Sequence, residues 1–232
     1  GRRVGIQEYR QSAGVWMRGI LRDEYGVDTD TIHWVEGGVD VPRKASASDV
    51  RPEREVTISE LTDHDTLSAA LSGGEIDAVM AARVPASSRV DDSIVRLFPD
   101  YRTVEQDWFQ RTGIFPIMHT VVIRREIFDR DPWVALSLYK AFCAAKERCY
   151  AMLMEAGSPK ASFAWLQPMI EEERSIIGDD WYPYGIEQNR ETIGALLQYS
   201  HEHGLTENRL EIEDLFAPST QRDIPLAEGQ HI

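Results

Sequence analysis

The chain has 232 residues, of which 42% are hydrophobic and 28% charged, which is enough apolar mass for one large domain or two smaller lobes. Its formal net charge of -14 repels phosphate backbones and therefore argues against nucleic-acid binding. An anionic ligand is still compatible with that charge, because a few local cations can dominate the field inside a cleft. No apolar run approaches the ~20 residues that a membrane span requires, so we predict no membrane-spanning segment.

The first half of the sequence alternates strand-like and helix-like patterns. The strand-like runs are 4–6, 32–35, 56–58 and 76–80. Between the first two, apolar residues from Ala13 to Leu21 follow the spacing of a helix face, with Ser12 as the predicted N-cap and Gly26 as the stop. A second helix is predicted from Thr66 to Leu71. This alternation indicates a mostly parallel, doubly wound sheet.

The second half of the sequence is predicted to be helical after one more strand. The stretch 114–123 is rich in β-forming residues and predicts a long strand. Helices are then predicted at about 132–154, 162–177 and 188–203, followed by a polar, extended tail. Residues 40–54 have no apolar period and are predicted to be a surface excursion.

These patterns predict an α/β ligand-binding lobe over 1–83, a crossover and lobe-completing segment over 84–130, and a helical segment over 131–232 that packs on both lobes. The chain opens directly on a strand-like run, without a starting Met or a signal peptide. We therefore expect an upstream segment that contributes to the first lobe.

The loop after the first strand is the leading candidate site. Glu8, Tyr9, Arg10, Gln11 and Ser12 offer a cation, hydroxyls and an amide at the N-terminal end of a helix, which suits a carboxylate ligand. The alternative is a polar surface loop with a capping serine.

Two further positions are predicted to lie at strand ends. Arg83 follows the 76–80 strand and could pair with a ligand carboxylate, or it could simply face solvent. His119 and Thr120 lie in the 114–123 run, where a lone His is either a proton carrier or a hydrogen-bonded structural residue. No nucleotide, serine-nucleophile or zinc motif is present, and His201 and His203 point to different sides of their helix, so we predict neither a cofactor nor a metal.

Six stretches that span nearly the whole chain in order carry a family resemblance. They are RVGIQEY at 3–9, AGVWMRGIL at 13–21, LFPDY at 97–101, TGIFPIMHTVVI at 112–123, PWVALSLYKAF at 132–142 and LFAPST at 215–220. They resemble the 4,5-dihydroxyphthalate decarboxylase family, which is related to the substrate-binding proteins of ABC transporters. The resemblance implies a periplasmic-binding-protein-like type II fold with two lobes and mainly parallel sheets, whose first lobe is completed by a further N-terminal portion.

The resemblance also implies non-oxidative loss of CO2 from a hydroxylated aromatic acid. Direct departure of CO2 would leave a costly aryl carbanion, whereas protonation of the ring carbon first avoids it. Such a site needs cations for the carboxylates, a base for the phenol and an acid near the ring carbon. As hypotheses, Arg10 and Arg83 hold carboxylates, His119 or Glu8 moves the proton, and Trp16 or Tyr9 stacks on the ring.

Two other functions are left open at this point, because one fold hosts many activities. The first is a non-catalytic binding protein of an ABC transporter for a small anionic or aromatic solute, and the second is a sensor of aromatic acids. The expected partner in each case is a small aromatic carboxylate, and a homo-oligomer is left open. An enzyme of this kind would be cytoplasmic and a transporter component periplasmic.

Overall fold

The computed structural model describes residues 1–43, 52–62, 65–155, 157 and 161–222. Its sheet consists of β1 (Arg3–Ile6), β2 (His33–Glu36), β3 (Ile58–Glu60) and β4 (Ala78–Met80). The strand order is β3-β2-β1-β4, and each neighbouring pair is parallel. The predicted α/β class with a parallel sheet is therefore confirmed.

Helices make up most of the remaining regular structure. They are α1 (Ser12–Tyr25), α2 (Leu67–Ser72), α3 (Tyr101–Thr112), α4 (Arg125–Arg130), α5 (Trp133–Met154), α6 (Leu166–Ile177), α7 (Arg190–Glu202) and α8 (Ile212–Leu215). In the described part of the chain after β4 there are helices and turns but no strand, as predicted for the residues after 131. The sequence pattern predicts no helix at α3, whose one buried residue is Trp108.

The two faces of the sheet are covered by different elements. Val4 and Ile6 pack with Trp34 on one face, while Gly5 points to the other face, where α2 lies. A Cβ at Gly5 would come within 2.7 Å of the Leu67 side chain, closer than packed atoms approach. The absence of a side chain at Gly5 is what lets α2 pack directly on the central strand.

The ends of the helices follow local capping rules in two cases and depart from them in one. Gly26 ends α1 with φ 63°, the left-handed conformation that favours glycine, and the Thr66 hydroxyl accepts a hydrogen bond from Ala69 N at the start of α2. The predicted N-cap role of Ser12 is wrong. Ser12 is the first residue of α1, and the cap position is held by Gln11, whose side chain makes no capping hydrogen bond.

The predicted strand over 114–123 is also wrong, because the structure forms no strand there. A β-prone run becomes a strand only when a partner strand satisfies its backbone groups, and within the described residues every paired strand belongs to the sheet of β1 to β4. Val121 and Val122 are 64% and 87% exposed. The surface excursion predicted for 40–54 falls largely on residues 44–51, which lie outside the described residues.

The chain divides into two compact units. The first unit is Gly1–Tyr101 with Ala195–Leu210, and it contains the sheet, α1 and α2. The second unit is Arg102–Gly194 with Glu211–Ile232, and its described part is helical. Helix α7 contributes residues to both units.

Candidate functional site

The carboxyl edge of the sheet positions the loop after β1 beside the chain that follows β4. The pairing register aligns Ile6 with Glu36 of β2 on one side and with Met80 of β4 on the other. The chain runs from β1 to β2 and β3, and then returns to place β4 on the opposite side of β1. This reversal is a topological switch point, the position where open parallel sheets bind ligands.

Two arginines hold the carboxylate of Glu8 in the loop after β1. Arg10 Nε donates to Glu8 Oε1, and Arg43 Nη2 donates to Glu8 Oε2 at 2.9 Å. Arg43 Nη1 also donates to the carbonyl of Gln7 at 2.7 Å. Glu8 and Arg10 therefore form a charge cluster together with Arg43, a residue that sequence reasoning missed because it lies in the polar 40–54 stretch.

The side chain of Tyr9 is buried and does not project from the loop into solvent. Its backbone N–H donates to Glu36 Oε1 at 2.6 Å, and its ring packs edge-on against Trp34 with the ring centroids 6.0 Å apart. Tyr9 is 5% exposed, and burial raises the pKa of its hydroxyl. Glu36, which sequence reasoning did not select, thus ties the end of β2 to the loop after β1.

Trp16 lies in the core of the first unit. It is 1% exposed, and it packs edge-on against Tyr199 with the centroids 5.8 Å apart. Both Trp16 and Tyr9 are buried, and stacking of a ligand on either ring stays a prediction. Gln11 accepts from Val15 N at 3.0 Å through its carbonyl, so the half-buried Gln11 and Ser12 mark the start of α1.

The other predicted site residues divide between the two units. Arg83 is exposed and follows β4, so it lies at the same edge of the sheet as the Glu8 to Ser12 loop. His119 and Thr120 are exposed residues of the second unit, in the stretch that forms no strand. The structure therefore brings the loop and Arg83 to one edge, while His119 and Thr120 belong to the other unit.

Arg18 is the most unusual charged residue of the first unit, and the sequence pattern does not select it. It is 0% exposed, and its Cζ lies 3.9 Å from the centroid of the Tyr9 ring and 5.6 Å from that of Trp34. Burial lowers the pKa of Arg18 to about 10 while Tyr9 and Glu36 oppose that change, so its guanidinium stays charged near neutral pH. Sequence reasoning did not predict the burial of Arg18, because the apolar period of α1 places this residue off the predicted buried face.

The second unit holds a network of charged and aromatic side chains around Lys146. Lys146 Nζ donates to both carboxylate oxygens of Asp180 at 2.7 Å, and the Tyr150 hydroxyl donates to Asp180 Oδ1 at 3.0 Å. Nearby, the rings of Phe115 and Tyr182 meet edge-on with the centroids 6.4 Å apart. Both rings are about half exposed, so they present aromatic surface next to the segment that carries His119.

Among the described residues, no group of three or more His, Cys, Asp or Glu side chains is arranged to hold a metal ion. Within the same residues, none of the helices combines the length and apolar character needed to cross a membrane.

Comparison with known proteins gives two relatives with the same name. A 4,5-dihydroxyphthalate decarboxylase from Comamonas testosteroni is 31% identical over 221 residues, which are 95% of this chain and 67% of that protein. A 4,5-dihydroxyphthalate decarboxylase from Pseudomonas putida is 28% identical over 111 residues, which are 47% of this chain and 43% of that protein. No family model matches the chain. The identity to the first relative extends over nearly the whole chain, and the chain belongs to the 4,5-dihydroxyphthalate decarboxylase family.

Proposed function

We propose that the chain takes part in the non-oxidative decarboxylation of a hydroxylated aromatic acid such as 4,5-dihydroxyphthalate. The observation that carries the proposal is the switch point between β1 and β4, which sets the Glu8 to Ser12 loop, with Arg10, and Arg83 at one edge of the sheet. A substrate with two carboxylates needs such cations in a chain whose overall charge is -14. The names of both relatives point to the same substrate.

The chemistry consumes one proton and releases CO2. Electron release from the ring hydroxyl, deprotonated by a base, favours addition of a proton to the ring carbon that bears the leaving carboxylate. The bond from that carbon to the carboxylate then breaks, its electron pair returns to the ring, and the hydroxyl regains its proton. Arginines that bind the carboxylates hold the substrate in place, and one side chain beside the ring must take up and release the proton.

The geometry favours some side chains for these roles over others. Arg83 is exposed at the edge and suits a bidentate contact with a carboxylate. Arg10 is engaged with Glu8, so it would bind a ligand together with that carboxylate and not as a lone cation. His119 is our proposed proton carrier, with Glu8 as the second candidate.

We propose in addition that the protein has the two-lobed architecture of the type II periplasmic binding proteins. In that arrangement, residues 1–83 form an α/β lobe, residues 84–130 cross between lobes, and residues 131–232 pack on both. The support is the parallel sheet with its switch point and the helical character of the described residues after 131.

The decisive experiment incubates the protein with 4,5-dihydroxyphthalate and measures CO2 release and the dihydroxybenzoate product. His119→Asn should lower turnover by about 10²–10⁴-fold, the usual share of a general acid or base, while affinity stays within a few fold. Arg83→Lys should mainly weaken binding, because Lys keeps the charge but loses the planar fork. Arg89→Lys, an exposed arginine a short distance along the same unit, is the matched control and should change neither parameter.

The outcomes separate the remaining alternatives. Normal turnover by His119→Asn would move the proton carrier to Glu8. Tight binding of hydroxylated phthalates without CO2 release from any of them would refute the decarboxylase and favour a binding protein for aromatic anions.

A further inference from the structure

A buried positive charge without a hydrogen-bond partner lies inside the first unit. In the part of the chain that the structure describes, Nε, Nη1 and Nη2 of Arg18 are all buried and make no hydrogen bond. The guanidinium is stacked against the faces of Tyr9 and Trp34, and cation–π contact offsets part of its lost hydration. The ring faces do not satisfy the N–H groups at the edges of the guanidinium, and a buried unpaired charge is strongly destabilising.

The neighbours of Arg18 include further buried polar atoms that lack hydrogen-bond partners. Trp34 is 0% exposed, and its Nε1–H, which can only donate, has no partner among the described residues. His203 is 1% exposed, and both of its ring nitrogens also lack partners there. Glu36 is the acidic group that acts on Arg18, but its Oε1 already accepts from the backbone of Tyr9.

The other two arginines that lower the pKa of His203 are partly exposed, and both are paired with carboxylates. Arg22 is paired with Glu202 and Asp23. Arg54 is paired with Asp30 and donates to the carbonyl of Glu202. Arg18 differs from both, since no ion pair joins it to any described carboxylate.

We propose that Arg18, together with Trp34 Nε1 and the ring of His203, forms an internal anion-binding site whose occupant is a small monovalent anion. A halide ion and the carboxylate group of a small acid share the required chemistry, because each brings one negative charge and accepts several hydrogen bonds. Ordered water fits less well. A water must donate as well as accept, and this cluster consists mainly of donors. One negative charge also matches the one uncompensated cation.

The test measures thermal unfolding of the whole chain at constant ionic strength while the bulky anion 2-hydroxyethanesulfonate is replaced by chloride, bromide or formate. The wild-type midpoint should rise in a saturable manner by about 2–8 °C, because an anion that binds only the folded state stabilises it. Arg18→Met, which fills similar space without charge, should lose this dependence and should be at least as stable as the wild type without a small anion. Arg22→Met removes one charge from the same helix and should keep the dependence.

Chloride NMR line broadening provides a second readout that requires no folded variant. The wild type should broaden the chloride signal, and formate should reverse the broadening. Reversal by 4,5-dihydroxyphthalate as well would assign the site to a substrate carboxylate, whereas no effect of that acid would assign it to a free small anion. Absence of broadening, together with identical midpoints in all four salts, would overturn the proposal and leave the proposed decarboxylation untouched.

Discussion

Acidification should destabilise this protein through His203 before its carboxylates titrate. Burial, reinforced by Arg18, Arg22 and Arg54, lowers the pKa of His203 from 6.5 to about 3. Tyr199, on the helix that ends just before His203, adds no compensating negative charge, since its pKa is raised. The folded state therefore keeps His203 neutral while the unfolded chain takes up a proton below its ordinary pKa.

The direction and size of the effect follow from this difference. Stability is complete above pH 6.5 and is lost as pH falls toward the folded-state pKa of about 3. The loss approaches about 1.4 kcal/mol per pH unit, which amounts to about 2 kcal/mol at pH 5. Urea unfolding at pH 7, 6 and 5, in salts of a bulky anion so that no small anion changes the local charge, measures the slope.

A variant that cannot be protonated isolates the contribution of this residue. His203→Gln stays neutral over the whole range, so its stability should fall less steeply than that of the wild type, and the two curves should converge as pH decreases. His201→Gln is the matched control, because His201 is exposed on the same turn of chain and should reproduce the wild-type slope. Parallel pH profiles for the wild type and His203→Gln would refute the reasoning.

Two further predictions concern packing and a partly buried ion pair. Gly19→Ala should destabilise the fold by about 1–3 kcal/mol, because a Cβ there would lie 2.3 Å from the Tyr199 ring. Gly194→Ala, where a Cβ meets nothing within 4 Å, should instead stabilise the fold by up to about 1 kcal/mol through helix propensity. Changes of the same sign in the free energy of unfolding of both variants, measured by chemical denaturation, would contradict this. Lys146→Met should lower the free energy of unfolding by about 1–3 kcal/mol, since Lys146 is 8% exposed and pairs with the half-exposed carboxylate of Asp180. Lys140→Met, on the exposed side of the same helix, is the control and should change it by no more than about 0.5 kcal/mol. Thermal unfolding measures both variants.

Part of the fold follows from local sequence signals that act over a few residues. The short β-prone runs and the apolar stripe of α1 predict the parallel sheet, and Gly26 marks the end of that helix. These signals are strong because side-chain periodicity and a left-handed glycine are properties of the local chain. The same local rules place the Glu8 to Ser12 loop and Arg83 after their strands, although they do not say that the two strands are neighbours.

Other features were decided by tertiary contacts. The β-prone run at 114–123 is not a strand, because propensity supplies no partner for its backbone groups. The pairing of Arg43 with Glu8 joins residues 35 positions apart, which no local pattern encodes.

The sequence by itself determined the α/β class, the family and the edge of the sheet at which ligand-binding residues gather. Only the tertiary structure decided which charges are paired. The sequence pattern places Arg18 on the polar face of α1, and it becomes a buried cation because the rings of Tyr9 and Trp34 pack against it. Burial and charge compensation depend on which segments meet in space, and a one-dimensional pattern does not contain that information.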